Sequence, residues 1–254
     1  MRRSTLVAFA AALAAACGST PTEPSSSTSI ATAELFVGRL PAAGSRFYAF
    51  SPNTAGSVSL MLASLTPEGR RAASTDIVGL AFGIPRGTGC SHDRFVETRA
   101  GLTAQLLVAQ TTAGVHCVDV YDVGRLAGSM NFAVRIVMTP VAGTPPEATT
   151  SAGSDSFSTS VPALGSATRT IPASQAGTIT VHLTSLSPTD AVIGFGLGIP
   201  RADGGGCYLS TSTDATTGAA PLASRVDPGT YCVQVYDSGL LKSPATFTLT
   251  TLYP

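Results

Sequence analysis

Cys232-Val233-Gln234-Val235-Tyr236-Asp237-Ser238-Gly239 repeats an earlier stretch of the same chain, Cys117-Val118-Asp119-Val120-Tyr121-Asp122-Val123-Gly124. Two further blocks precede each copy in the same order. Gly83-Ile84-Pro85-Arg86 recurs as Gly198-Ile199-Pro200-Arg201, and each is soon followed by a Gly-Cys pair, Gly89-Cys90 and Gly206-Cys207. Further upstream, Ser57 to Leu62 aligns with Thr178 to Leu183, and both runs reach a Ser-Leu-x-Pro sequence, at Ser64–Pro67 and Ser185–Pro188. The repeat is about 100 residues long, far beyond a solenoid unit, so each copy is expected to be a domain with its own core.

The repeated blocks alternate with period two, as half-buried strands do. Ile179, Val181 and Leu183 share one face, and Thr178, Thr180 and His182 share the other. Ile193, Phe195, Leu197 and Ile199 alternate with Gly194, Gly196 and Gly198; in the first copy Val78, Leu80, Phe82 and Ile84 alternate with Gly79, Ala81 and Gly83. A strand with no bulk on one side implies a close approach over it, or a bend. Several such strands joined by Gly, Pro and Asp turns predict an all-β chain of two tandem jelly-roll or Greek-key-like β-sandwiches. The predicted boundaries are 31–140 and 152–254, with a Pro/Gly/Thr-rich linker at 141–151.

The composition fits an exported protein. Apolar residues make up 44% and charged residues only 12%, and the chain has no Trp. Fifteen basic and fifteen acidic residues cancel, which leaves no basic stripe for nucleic acid. Residues 1–16 read as a signal peptide: Arg2-Arg3, then an apolar run from Leu6 too short to span a bilayer. Leu13-Ala14-Ala15-Ala16-Cys17 resembles the bacterial lipobox, in which the Cys is lipidated, although Ala14 stands where Leu is usual. Cleavage as an ordinary signal peptide is the alternative. Residues 17–30 form a Pro/Ser/Thr tether, and Gly18 in place of an inner-membrane-retaining Asp points to the outer membrane of a Gram-negative envelope.

With Cys17 assigned to lipid, four cysteines remain. An even count in an exported chain implies disulfides, and the repeat selects Cys90–Cys117 and Cys207–Cys232 from the possible pairings. Val233 and Val235 face the core, so Cys232, Gln234 and Tyr236 face away. The cystine is therefore expected on the outer side of its sheet.

Asp227-x-Gly229-x-Tyr231 resembles the tyrosine corner of Greek-key sandwiches, and a plain turn followed by a strand Tyr reads equally well. An immunoglobulin domain is disfavoured, because Cys232 directly follows that Tyr and no core Trp exists. The order of the blocks resembles the bacterial pre-peptidase C-terminal domain, a small β-sandwich of secreted enzymes and surface proteins. Pro228-Gly229-Thr230-Tyr231-Cys232-Val233-Gln234-Val235 matches that family's third element, and Ala245 to Leu252 its last strand. The family's acidic positions are missing, since Ala191 to Ile199 has only Asp190 before it, so its occasional calcium ligands are not supplied. The cystine is not a general feature of that family either.

No catalytic constellation or cofactor motif is present. His92, His116 and His182 form no spaced ligand pair, and His116 aligns with Tyr231, which implies a structural strand position. Asp122 and Asp237 precede glycine by two residues, the pattern of a carboxylate bonding its own turn; one such Asp per repeat falls short of a calcium site. Tyr121 and Tyr236, with Arg86 and Arg201 after the Gly-Ile-Pro turns, mark the first place to look for a glycan or envelope-protein ligand. The expectation is a non-enzymatic binding, adhesion or scaffolding lipoprotein held to the membrane by its N-terminal lipid. The alternatives are an accessory carbohydrate- or protein-binding part of a secreted hydrolase system and a calcium-binding surface domain.

Overall fold

The computed structural model describes residues 31–141 and 152–254. The signal segment, Cys17, the tether and most of the linker lie outside the described residues.

Domain one contains β1 (Thr32–Leu40), β2 (Ser45–Phe50), β3 (Gly56–Pro67), β4 (Val78–Arg86), β5 (Gly89–Thr98), β6 (Leu106–Thr111), β7 (His116–Asp122) and β8 (Met130–Pro140). Domain two repeats them as β9 (Gly153–Val161), β10 (Ser166–Ala173), β11 (Gly177–Ser187), β12 (Ile193–Pro200), β13 (Cys207–Ala215), β14 (Leu222–Val226), β15 (Gly229–Tyr236) and β16 (Ala245–Tyr253). The sheets of domain one run β1-β8-β3-β6 and β2-β7-β4-β5; those of domain two run β9-β16-β11-β14 and β10-β15-β12-β13. The two wirings are identical, and each is the double Greek key of a jelly roll, with both sheets antiparallel.

Alternation builds both cores. Ile179, Val181 and Leu183 of β11, Ile193, Phe195, Leu197 and Ile199 of β12 and Val233 and Val235 of β15 meet in one cluster. Val78, Leu80 and Phe82 of β4 join Val118 and Val120 of β7 in the other. Even the irregularities repeat: β3 and β11 slip register at Leu62/Ser64 and Leu183/Ser185, and β4 and β12 at Phe82/Gly83 and Leu197/Gly198. The side-chain-free positions have two causes: at Gly83 and Gly198 the neighbouring strand's backbone comes close at the register slip, and at Gly79 and Gly194 an aromatic ring does. Tyr121 lies across its register partner Gly79, and Tyr236 across Gly194, where an added Cβ would collide with the ring.

Ile84 departs from the expected pattern. It is 53% exposed and joins neither core, whereas its counterpart Ile199 is 4% exposed. Ile199 belongs to a cluster that also takes in Met61 and Ala63 of domain one. The two domains are therefore in contact, and the contact is specific. Leu102 of domain one is buried in the core cluster of domain two and pairs in parallel with Val226. Around it, the Ala104 N–H donates to Asp227 Oδ2 at 2.7 Å and the Asp227 N–H to the Leu102 carbonyl at 3.1 Å. On the other side, Ser64 Oγ donates to the Leu209 carbonyl at 2.7 Å and the Ala73 N–H to Ser212 Oγ at 2.9 Å.

Candidate functional site

The disulfides join Cys90 to Cys117 and Cys207 to Cys232, each within one domain. Cys207, Cys232, Leu209 and Tyr236 form a small cluster separate from the main core, on the outer side of the β10-β15-β12-β13 sheet, and Ala73 of domain one packs against it. The parity reading holds, but the outer face of domain two is not open to solvent. Tyr236 is only 3% exposed and is corrected here from a ligand-surface residue to a buried one. Burial pushes its phenol pKa up.

The turn carboxylates also have internal partners. Asp237 Oδ1 accepts the N–H groups of Gly239, Leu240 and Leu241 at 2.8, 2.9 and 3.1 Å, and Oδ2 accepts that of Leu164 at 2.8 Å. Asp122 does the same with Gly124, Arg125 and Leu126, and with Ala43. Burial acts to raise both carboxyl pKa values, but the four backbone N–H groups outweigh it, and the net direction for each is down. In each carboxylate three donors converge on Oδ1 and one reaches Oδ2, so both oxygens are engaged by the protein's own turns. Among the described residues, no group of three or more His, Cys, Asp or Glu side chains is arranged to hold a metal ion.

The tyrosine corner is real in domain two. Tyr231 is buried, its hydroxyl donates to the Asp227 carbonyl at 2.6 Å, and desolvation pushes its pKa up to about 12. The aligned His116 makes the equivalent bond in domain one: Nε2 meets the Thr112 carbonyl at 2.9 Å, again four residues back. Its ring stacks on Phe82. His182 lies on the outer side of β11, half-buried.

Among the described residues, the corresponding outer face of domain one, on the β2-β7-β4-β5 sheet, is not covered by domain two, although Ala81 and Asp119 at its centre are buried. Register places Phe47, Asp119, Ala81 and Phe95 in one row across its four strands. At about 4.8 Å per strand, the two phenylalanines flank a span of about 14 Å. They are 37% and 66% exposed, and small Ala81, Gly79 and Gly83 lie between them and beside them. Tyr121 is half-buried in the adjoining row and stacks on His92, with ring centroids 5.2 Å apart. His92 Nε2 meets Asp119 Oδ2 at 2.8 Å. Asp119 is 6% exposed, and its Oδ1 is buried without a hydrogen-bond partner. Desolvation raises its carboxyl pKa; His92, and more weakly the backbone N–H groups of Val120 and Arg46, offset this only in part.

The four sequence-marked surface residues are thus dispersed. Tyr121 is on this open face, Arg86 is exposed at the end of β4, Tyr236 is buried, and Arg201 lines the cleft between the domains. Phe47 and Phe95 were not marked: each stands between an Arg and a second bulky residue, Tyr48 or Val96, so alternation does not show which face it takes.

No family model matches this chain, and no curated protein sequence is significantly similar to it.

Proposed function

We propose that this protein is a non-enzymatic binding lipoprotein of the bacterial cell envelope. It is held to the outer membrane through lipid on Cys17, and it takes a saccharide on the outer face of the β2-β7-β4-β5 sheet. The address rests on the lipobox-like sequence, and the two disulfides fit an oxidising compartment. One observation carries the binding reading. Of two equivalent faces in a duplicated fold, one is sealed by the neighbouring domain, while the other stands open with Phe47, Phe95 and Tyr121 on it.

Exposed aromatic rings grouped on one face mark an interaction surface more often than scattered apolar residues do. The C–H face of a pyranose packs on such rings, and its hydroxyl edge needs polar partners, which the exposed His92 and Glu97 offer on the same face, with Asp119 behind His92. The full chain in detergent, applied to a glycan array, is expected to retain a defined set of saccharides. Phe47→Ser combined with Phe95→Ser should abolish retention without lowering the melting temperature. An array with no retained glycan, or equal retention by the double variant, overturns the proposal.

A further inference from the structure

We propose that the cleft between the two domains is a second binding site, built for a multiply charged oxyanion: phosphate or carboxylate groups carried on a small ligand. It is independent of the sheet face described above. The cleft has a volume of about 600 Å³, within the range of small-ligand sites. Domain one contributes Arg39 from β1 and Arg70 and Arg71 from the segment after β3. Domain two contributes Arg201 from the end of β12, Tyr208 from β13 and Gln234 from β15.

Charge is the first argument. The chain as a whole is neutral, yet four arginines line this one cleft and no Asp or Glu lines it. Only Arg39 has a carboxylate partner, Glu68 at 2.8 Å; among the described residues Arg70, Arg71 and Arg201 form no salt bridge. Like charges gathered without counter-charge repel one another, and the repulsion is relieved when an anion enters.

Preorganisation is the second argument. The Arg71 guanidinium donates to the Gly165 and Leu164 carbonyls at 3.0 and 3.1 Å, so a domain-one side chain is tied down by domain two. Arg201 lies over the Tyr208 ring with its guanidinium carbon 4.5 Å from the centroid. Gln234 Oε1 already accepts the Cys207 N–H at 2.9 Å, which leaves its amide N–H₂ as the free end. These groups are fixed, and what they have left to offer is almost entirely donors. A planar guanidinium matches the two oxygens of a carboxylate or phosphate. The Leu102–Asp227 and Ser64–Leu209 contacts hold the domains together, so the donors do not have to be gathered by the ligand.

Titration calorimetry on the full chain in detergent, with four probes, tests this: inorganic phosphate, a sugar phosphate, a trigalacturonate and a neutral trisaccharide. Saturable binding is expected for at least one anionic probe, and the probe that binds identifies phosphate or carboxylate as the ligand group. Affinity should fall with added salt, and by about tenfold for each of Arg70→Ala and Arg201→Ala. Bound probe should also protect Arg70 of the unaltered chain from phenylglyoxal, a readout that does not depend on any variant folding. The Phe47→Ser, Phe95→Ser variant should bind the anions as wild type does. Absence of binding by every anionic probe, or full affinity in the Arg70→Ala, Arg201→Ala double variant, refutes the site.

Discussion

Removing the Asp237 carboxylate should cost more stability than any other single polar truncation in domain two. The side chain ties two turns together. Three of its donors lie on the loop after β15, and the fourth, Leu164, lies in the β9–β10 turn. That turn needs a tie, because Leu164 holds a left-handed backbone (φ 59°), a conformation that costs a non-glycine residue roughly 1–2 kcal/mol. Hydrogen bonds to a charged group contribute about 1.5–3 kcal/mol each at most. These N–H groups sit close enough to the surface for water to replace part of that, so we expect Asp237→Ala to cost about 3 kcal/mol in total. Asp237→Asn keeps an oxygen for the Oδ1 donors but sets an N–H₂ against the Leu164 N–H, and should cost about 2 kcal/mol.

The pH dependence has a definite sign. The folded carboxyl pKa is lowered relative to its unfolded value. The contribution is therefore complete above the ordinary carboxylate range and is lost as pH falls through the folded pKa. Urea unfolding of wild type and Asp237→Ala should show a full gap at pH 7 that narrows below about pH 4. A gap under about 0.5 kcal/mol at pH 7, or one unchanged down to pH 2.5, refutes the reasoning. Calcium should leave the wild-type melting temperature unchanged, since both Asp237 oxygens are engaged by backbone N–H groups and, among the described residues, no further carboxylates are grouped with it to complete the six to eight oxygens calcium takes.

Other perturbations probe the domain contact and the glycine faces. Leu102→Ala empties a fully buried position between the domains and should cost about 2–4 kcal/mol, splitting one calorimetric transition into two; a single unshifted transition counts against a rigid contact. Gly194→Ala drives a Cβ into the ring of buried Tyr236 and should cost about 2 kcal/mol, whereas Gly79→Ala should cost less because the half-buried Tyr121 can swing outward. Equal losses in denaturant titrations would show that the covering domain does not hold Tyr236. Tyr231→Phe deletes the bond to the Asp227 carbonyl and should lower stability by about 1–2 kcal/mol, as measured by chemical denaturation.

The local frame was readable in the residues because it depends on local rules. Period-two alternation located the strands, the repeat chose the disulfide pairing, and parity put Cys232 and Tyr236 outside the domain core. The bare glycine positions signalled a close approach or a bend, and both occur: rings over Gly79 and Gly194, register slips at Gly83 and Gly198. What the residues did not reveal was how the domains dock. Tyr121 and Tyr236 stand in nearly identical motifs, and so do Ile84 and Ile199, yet in each pair one is exposed or half-exposed and the other buried. Only a neighbour contributed from elsewhere in the chain makes that difference. A sign of it was present: Met61 aligns with His182 at an outward strand position, and an apolar residue there implies a surface that is covered.

One difference between the repeats stands at the centre of the candidate face. Asp119 and Gln234 are equivalent positions on β7 and β15, both on the outer side of their sheets beside a cystine. In domain two the side chain at position 234 accepts the Cys207 N–H at 2.9 Å. Neutral Gln234 makes that bond and avoids the desolvation cost. Asp119 is as buried as Gln234, at 6% against 8% exposed, yet it keeps a carboxylate with His92 as partner and Oδ1 unpaired. An acid that is buried, only half satisfied and flanked by exposed rings adds little to the stability of domain one. Its placement is better explained by what the face receives than by what the fold requires, and Asp119→Gln, which copies domain two, separates the two accounts. It should leave stability equal or raise it, by relief of desolvation, while weakening saccharide retention; lower stability with unchanged retention would assign Asp119 to the fold.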